Sequence, residues 1–181
     1  MGKASVKENK KIYQLVREEL NLTREAASEL IDGMEPYRLN KIENETLPTP
    51  DEVYNMSKAY KRPDLCSYYC ANECRIGKET DVKELKIKDL SNIVLGMLNK
   101  LHTMDEKKEK LISISADGDV DDEELEEFFN IQNELNQMAE LIDTLKLWTN
   151  KMIYEGKIDE KKYKDLQHKK ANLLKKQNKT M

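Results

Sequence analysis

The sequence predicts an all-α chain in which five short N-terminal helices are followed by a long antiparallel helical hairpin and a shorter third helix. Three observations carry this. Hydrophobic residues make up only 38% of the 181 residues and charged ones 36%, the balance of elongated helical proteins rather than sheets. From Leu90 onward, apolar side chains recur in alternating steps of four and three, the period of a helical seam. Before that point, turn signals built on Asn, Gly and Pro separate brief apolar stripes at helical spacing.

The first element spans Lys11 to Leu20, with Ile12, Leu15, Val16 and Leu20 as its stripe, and Asn21 ends it. Thr23 is a good N-cap for a second helix whose first turn holds Arg24 and Glu25. Ala26, Ala27, Leu30 and Ile31 form its buried face, and Asp32-Gly33 break it. Pro36 suits the first turn of a third helix, where its missing N–H costs nothing. Leu39 and Ile42 are the only large apolar residues there, so Tyr37, Arg38, Asn40 and Lys41 are expected to point outward. Pro50 opens a fourth helix with Val53 and Met56 on one face, Pro63 opens a fifth that runs to Cys74, and RIGKETDVKEL reads as a polar connector.

The seam of the long helix reads Leu90, Val94, Met97, Leu101, Met104, Lys108, Leu111 and Ser115, over roughly 28 residues or about 40 Å. Gly118 stops it. Asp121 is placed to cap the next helix, with Glu124 completing a capping box and Val120 and Leu125 a hydrophobic staple. That helix runs past Trp148 and Met152 to Gly156. The same punctuation then recurs, with Ile158 as staple and Asp159 as cap of a third helix reaching about Gln177. The expected domains are 1–78, a linker at 79–87, and 88–181. Seams that two helices fill only partly call for a partner, so self-association is expected. The alternative is a monomeric bundle closed by Tyr163, Leu166 and Leu173.

Charge is distributed unevenly. Residues 1–78 hold 13 Lys/Arg and 13 Asp/Glu, residues 79–155 hold 9 and 19, and residues 156–181 hold 9 and 3. The acidic middle repels a phosphate backbone, whereas the basic tail, with Lys169, Lys170, Lys175 and Lys176, is either a solvated face or a phosphate contact. No run approaches the roughly 18 apolar residues of a membrane span, and the first residues lack the apolar core of a signal peptide. A cytoplasmic protein is expected. In a reducing compartment Cys66, Cys70 and Cys74 are expected to be thiols packing the fifth helix rather than disulfides, with a metal-binding or oxidant-sensing thiol cluster as the alternative. Structural zinc calls for four ligands, and His102 and His168 are remote in sequence. The acidic run Asp117, Asp119, Asp121 and Asp122 fails as a calcium loop, since its sixth and twelfth positions are Asp122 and Phe128 instead of Gly and Glu. With no nucleophile elbow, P-loop or paired metal-ligating histidines, no enzyme, cofactor, metal or small-molecule ligand is expected.

The run from Ile12 to about Tyr60 resembles the Cro/lambda-repressor-like (XRE) helix-turn-helix family of bacterial transcriptional regulators. Leu22-Thr23 opens helix 2, Gly33 sits in the turn, and Ile42-Glu43-Asn44-Glu45 closes helix 3 in the family's manner. This covers roughly a third of the chain. Arg24 stands where the family usually has Gln, and Asp32 adds a residue before the turn glycine. The resemblance implies a third helix in the major groove of double-stranded DNA, bound as a dimer, and the apolar seams assign the homodimer contact to the C-terminal helices. The implied DNA-facing set is Thr23, Arg24, Tyr37, Arg38, Asn40, Lys41 and Asn44. Asn40 and Arg38 are suited to adenine and guanine edges, and Lys41, Arg24 and Thr23 to phosphates. The alternative reading, of a different class, is an adaptor that keeps this fold and holds another regulator without DNA.

Overall fold

The computed structural model describes residues 9–114 and 118–177, except for the side chains at 106 and 173–177, and the described residues are helical without a strand. Ser115 and Asp117, with the side chains of Leu173, Lys175 and Lys176, therefore lie outside the described residues. The helices are α1 (Ile12–Glu19), α2 (Arg24–Leu30), α3 (Pro36–Asn44), α4 (Pro50–Ala59), α5 (Asp64–Asn72), α6 (Arg75–Glu79), α7 (Leu90–Ile114), α8 (Leu125–Tyr154) and α9 (Glu160–Gln177). None is long and apolar enough to cross a membrane. Packing groups the chain into two units, Met1–Cys66 with Thr149–Met181, and Ser67–Trp148. The division falls inside α5 and α8.

In the first unit, helix starts follow local chemistry. The Thr23 hydroxyl accepts from the Ala26 amide at 3.2 Å and caps α2. Thr49 and Glu52 close a reciprocal capping box around Pro50 at the start of α4. Asn21 at the end of α1 and Gly33 in the α2–α3 turn both take positive φ, 56° and 67°, a region Asn and Gly enter most readily. The turn is tied to α4, whose Asn55 side-chain amide donates to the Asp32 carbonyl at 3.0 Å. Tyr13, Val16, Ile31, Leu39, Ile42 and Met56 lie at 0–2% exposure and form the core between α1, α2, α3 and α4. The closing segment joins this unit through Tyr154, whose hydroxyl lies beside Ser57 of α4.

The second unit contains an element that composition hid. Arg75–Glu79, read as polar connector, is the short helix α6, and its Gly77 lies against the end of α5 so closely that a Cβ there would overlap the Cys70 carbonyl oxygen. After it the chain is held to α5 by the Leu85 amide donating to the Ser67 hydroxyl at 2.7 Å. Of the second unit's cysteines, Cys70 is exposed and Cys74 half-buried, so Cys70 does not serve as a buried packing residue.

α7 and α8 run antiparallel. Lys100 pairs with Glu134 at 2.7 Å, and Gly96 packs on Leu141, so numbers fall on one helix as they rise on the other. The contact seam of α7 is Ile93, Met97, Lys100, Met104, Lys107, Leu111 and Ile114, of which Ile93 and Ile114 are buried. It keeps the four-three alternation but is turned by about one residue from the expected seam: Leu90, Val94, Leu101 and Lys108 are exposed. Lys100 can occupy this seam because its stem packs along it while the ammonium reaches the Glu134 carboxylate. Asp121 does cap the approach to α8, accepting from Glu123 and Glu124 amides at 2.9 Å each. Val120 and Leu125 both stay exposed, so the expected staple is open. Gly118 and Gly156 take positive φ, 82° and 73°, and Asp159 caps α9 by accepting from the Lys162 amide at 2.9 Å.

Candidate nucleic-acid interface

The α2–turn–α3 segment is organised from inside by one carboxylate. Glu43 lies on the same face of α3 as Leu39 and Ile42, and its side chain is fully enclosed. A bare carboxylate there would carry a large desolvation cost. Two guanidinium groups offset it. Arg17 of α1 donates through Nε at 2.6 Å and Nη2 at 3.0 Å, and Arg24 of α2 donates through Nε at 2.7 Å. Arg17 also donates to the Leu22 carbonyl at 2.7 Å, pinning the loop that leads into α2. The bond to Glu43 holds the Arg17 guanidinium above its ordinary pKa. One buried anion thus joins three helices. Beside it the Tyr60 hydroxyl is buried without a hydrogen-bond partner, and burial pushes its pKa well up, so it stays neutral.

The outer face of α3 presents Tyr37, Asn40 and Lys41. Tyr37 is 69% exposed, and the Lys41 ammonium stands 4.8 Å from its ring centroid, a cation–π contact that limits the reach of both side chains. The amide of Asn44 donates to Asn40, to the carbonyl at 2.7 Å and to Oδ1 at 2.9 Å. That orients the Asn40 side chain along the helix while its own NH2 remains a donor. Thr23 and Arg24 stand at the start of α2, and Arg24, held by its Nε, is a third exposed. Its position on a buried partner fixes the guanidinium at the helix edge.

Arg38 is placed differently from the expectation that it faces outward to read guanine. Its Nε and Nη2 form a two-point contact with Glu52 at 2.6 and 2.7 Å, and the same fork reaches Thr46 Oγ1 at 2.9 Å and the Leu47 carbonyl at 3.2 Å. Arg38 therefore locks the α3–α4 connection. Sequence reasoning missed Glu43, Arg17 and Glu52 as positioning residues. A signal existed for the first: Glu43 occupies the i+4 position from Leu39, on the helical stripe reserved for buried residues.

The Arg38–Glu52 contact carries a pH signature. Hydrogen bonding from Arg38 holds the Glu52 carboxyl below the usual glutamate value. A carboxylate so depressed contributes stability that is full above the unfolded-state pKa and lost as pH falls through the folded one. Acid titration of thermal stability should show Glu52→Gln losing part of the wild-type decline between pH 5 and the acid limit. A wild-type and variant decline that superimpose would remove this role.

Among the described residues, no three His, Cys, Asp or Glu side chains converge in a way that could hold a metal ion. The arrangement is a pre-set polar helix face beside a helix start. No protein-family model matches the chain, and neither a curated protein nor a solved structure matches it.

Proposed function

We propose that this protein is a sequence-specific DNA-binding transcriptional regulator of the helix-turn-helix kind, reading an operator as a dimer with α3 in the major groove. The observation that carries the reading is the division of α3: Leu39, Ile42 and Glu43 face the core while Tyr37, Asn40 and Lys41 form an outward polar face next to the capped start of α2. Asn40 reads a base edge, Lys41 and Arg24 meet phosphates, and Tyr37 supports Lys41. Arg38 acts as a positioning residue.

Electrostatics favour the same reading once the packing units are considered. Residues 1–66 hold 11 basic and 12 acidic side chains, and residues 149–181 hold 10 and 4. Grouped as one unit, they total 21 against 16. The segment that carries α3 therefore belongs to a net positive unit, as an association with phosphates requires. The unit 67–148 holds 10 basic and 19 acidic side chains.

Selection of duplexes from a random pool is the test. It should enrich a two-fold site with half-sites about 10 base pairs apart. Asn40→Ala should reduce the preference for that site over random duplex by about ten- to a hundredfold. Lys41→Ala should weaken binding to both and lower the salt slope by about one. A pool that yields no enriched sequence, with no salt-dependent binding to random duplex, would instead favour an adaptor that uses this fold to hold another protein.

A further inference from the structure

The α7–α8 hairpin has two unlike faces, and the apolar one is built for a second copy of this chain. Each residue of a right-handed helix turns about 100° from the last, so the residue following each seam position lies to one side of the seam. In an antiparallel pair, these following residues fall on the same face for both helices. On α7 they include Val94, Leu98 and Leu101, exposed by 42%, 57% and 52%. On α8, Leu135 and Ile142 follow the seam positions Glu134 and Leu141 and are 43% and 39% exposed. The level at which they sit matches, since Lys100 meets Glu134 and Gly96 meets Leu141. The opposite face carries Asn92, Asn99, Thr103, Asn133, Gln137 and Glu140, with Leu95 and Phe129 exposed at its outer edge. Polar residues predominate there and apolar ones on the first face.

From this we infer that two chains pack apolar face to apolar face into a four-helix bundle, with Leu98, Leu101, Leu135 and Ile142 at its new core. Three observations select a second copy as the occupant. The first is size: α7 has 25 residues, so one face of the hairpin measures roughly 37 by 20 Å. Two copies then bury about 1,400 Å², within the range of specific interfaces. The second is charge. Unit 67–148 is strongly acidic, yet Asp105 is the one acidic residue of α7 or α8 on this face, among the described residues. The like charges that would keep copies apart point elsewhere. The third is symmetry: the charged residues of α7 on the face, Asp105 and Lys108, have opposite signs, as a contact needs when residue i of one copy meets j of the other and the reverse.

The inference deepens the dimeric reading above by assigning its surface, and it rests on that reading only for the use made of the dimer. Sedimentation equilibrium of the full chain without DNA therefore tests it separately. The wild type should give twice the chain mass of 21.2 kDa at micromolar concentration. Leu98→Lys and Ile142→Lys, each introduced at both halves of a two-fold contact, should raise the dissociation constant by about a hundredfold or more. Asn133→Lys, on the polar face, should leave it unchanged. Circular dichroism should show equal helix content in all three, since the substituted side chains are exposed. A monomeric wild type overturns the inference and leaves the face to a different protein. So does a dimer unaffected by Leu98→Lys and Ile142→Lys. Loss of DNA binding with the dimer intact would count against the operator reading alone.

Discussion

Glu43→Ala lowers the stability of the unit containing α1 to α4 by about 3–5 kcal/mol, measured by guanidinium denaturation. The loss is large because the substitution removes the anion that two arginines share and leaves the Arg17 guanidinium, itself buried, with only the more distant Glu18 carboxylate at 4.0 Å. Arg24 is less affected, since a third of its side chain already meets water. A small domain has about 5–15 kcal/mol in total, so this one carboxylate governs whether the unit is folded. The double variant Arg17→Met/Glu43→Leu separates the causes. It removes the buried pair in favour of apolar packing and should recover most of the loss. If Glu43→Ala stays within about 1 kcal/mol of wild type, the buried network is not what joins the three helices.

That network also marks where the sequence was legible and where it was not. Helix starts and stops depend on a few residues near one another in the chain, so Thr23, Pro36, Pro50, Asp159, Gly33 and Gly156 could be assigned from local spacing alone. Side-chain pairing across the fold has no such local trace. Arg38 carries the charge and reach of a base-reading residue, and only the return of α4, fourteen residues later, brings Glu52 to it. Asn40 and Lys41 are on the outer face as the spacing of Leu39 and Ile42 required. α6 was missed because a five-residue helix with one exposed isoleucine and a buried glycine has no apolar stripe to detect. The grouping of the segment from Thr149 onward with the N-terminal helices was equally hidden, since it brings Tyr154 beside Ser57, nearly a hundred residues away.

Ile93→Ala costs the hairpin about 2–5 kcal/mol at every protein concentration, whereas Val94→Ala, one residue further, has an effect that fades on dilution. Composition and period do not tell these two β-branched residues apart. The packing does: Ile93 is fully buried on the α8 side of α7, and Val94 is 42% exposed on the adjoining apolar face. Truncating Ile93 opens a cavity within a single chain, and that cost is the same whether or not a second chain is present. Truncating Val94 removes surface that only the partner copy covers, so its cost appears where the dimer is populated and vanishes where it is not. Urea unfolding of both variants at concentrations well above and well below the dimer midpoint measures the difference. Equal, concentration-independent losses would place both residues inside one chain's core and return the seam to Val94. A loss for Ile93→Ala alone, at all concentrations, would keep the seam at Ile93 but remove Val94 from the dimer contact. The predicted pattern has a single structural source, the turn of the α7 seam by one residue, which buries Ile93 and frees an apolar flank for a second chain.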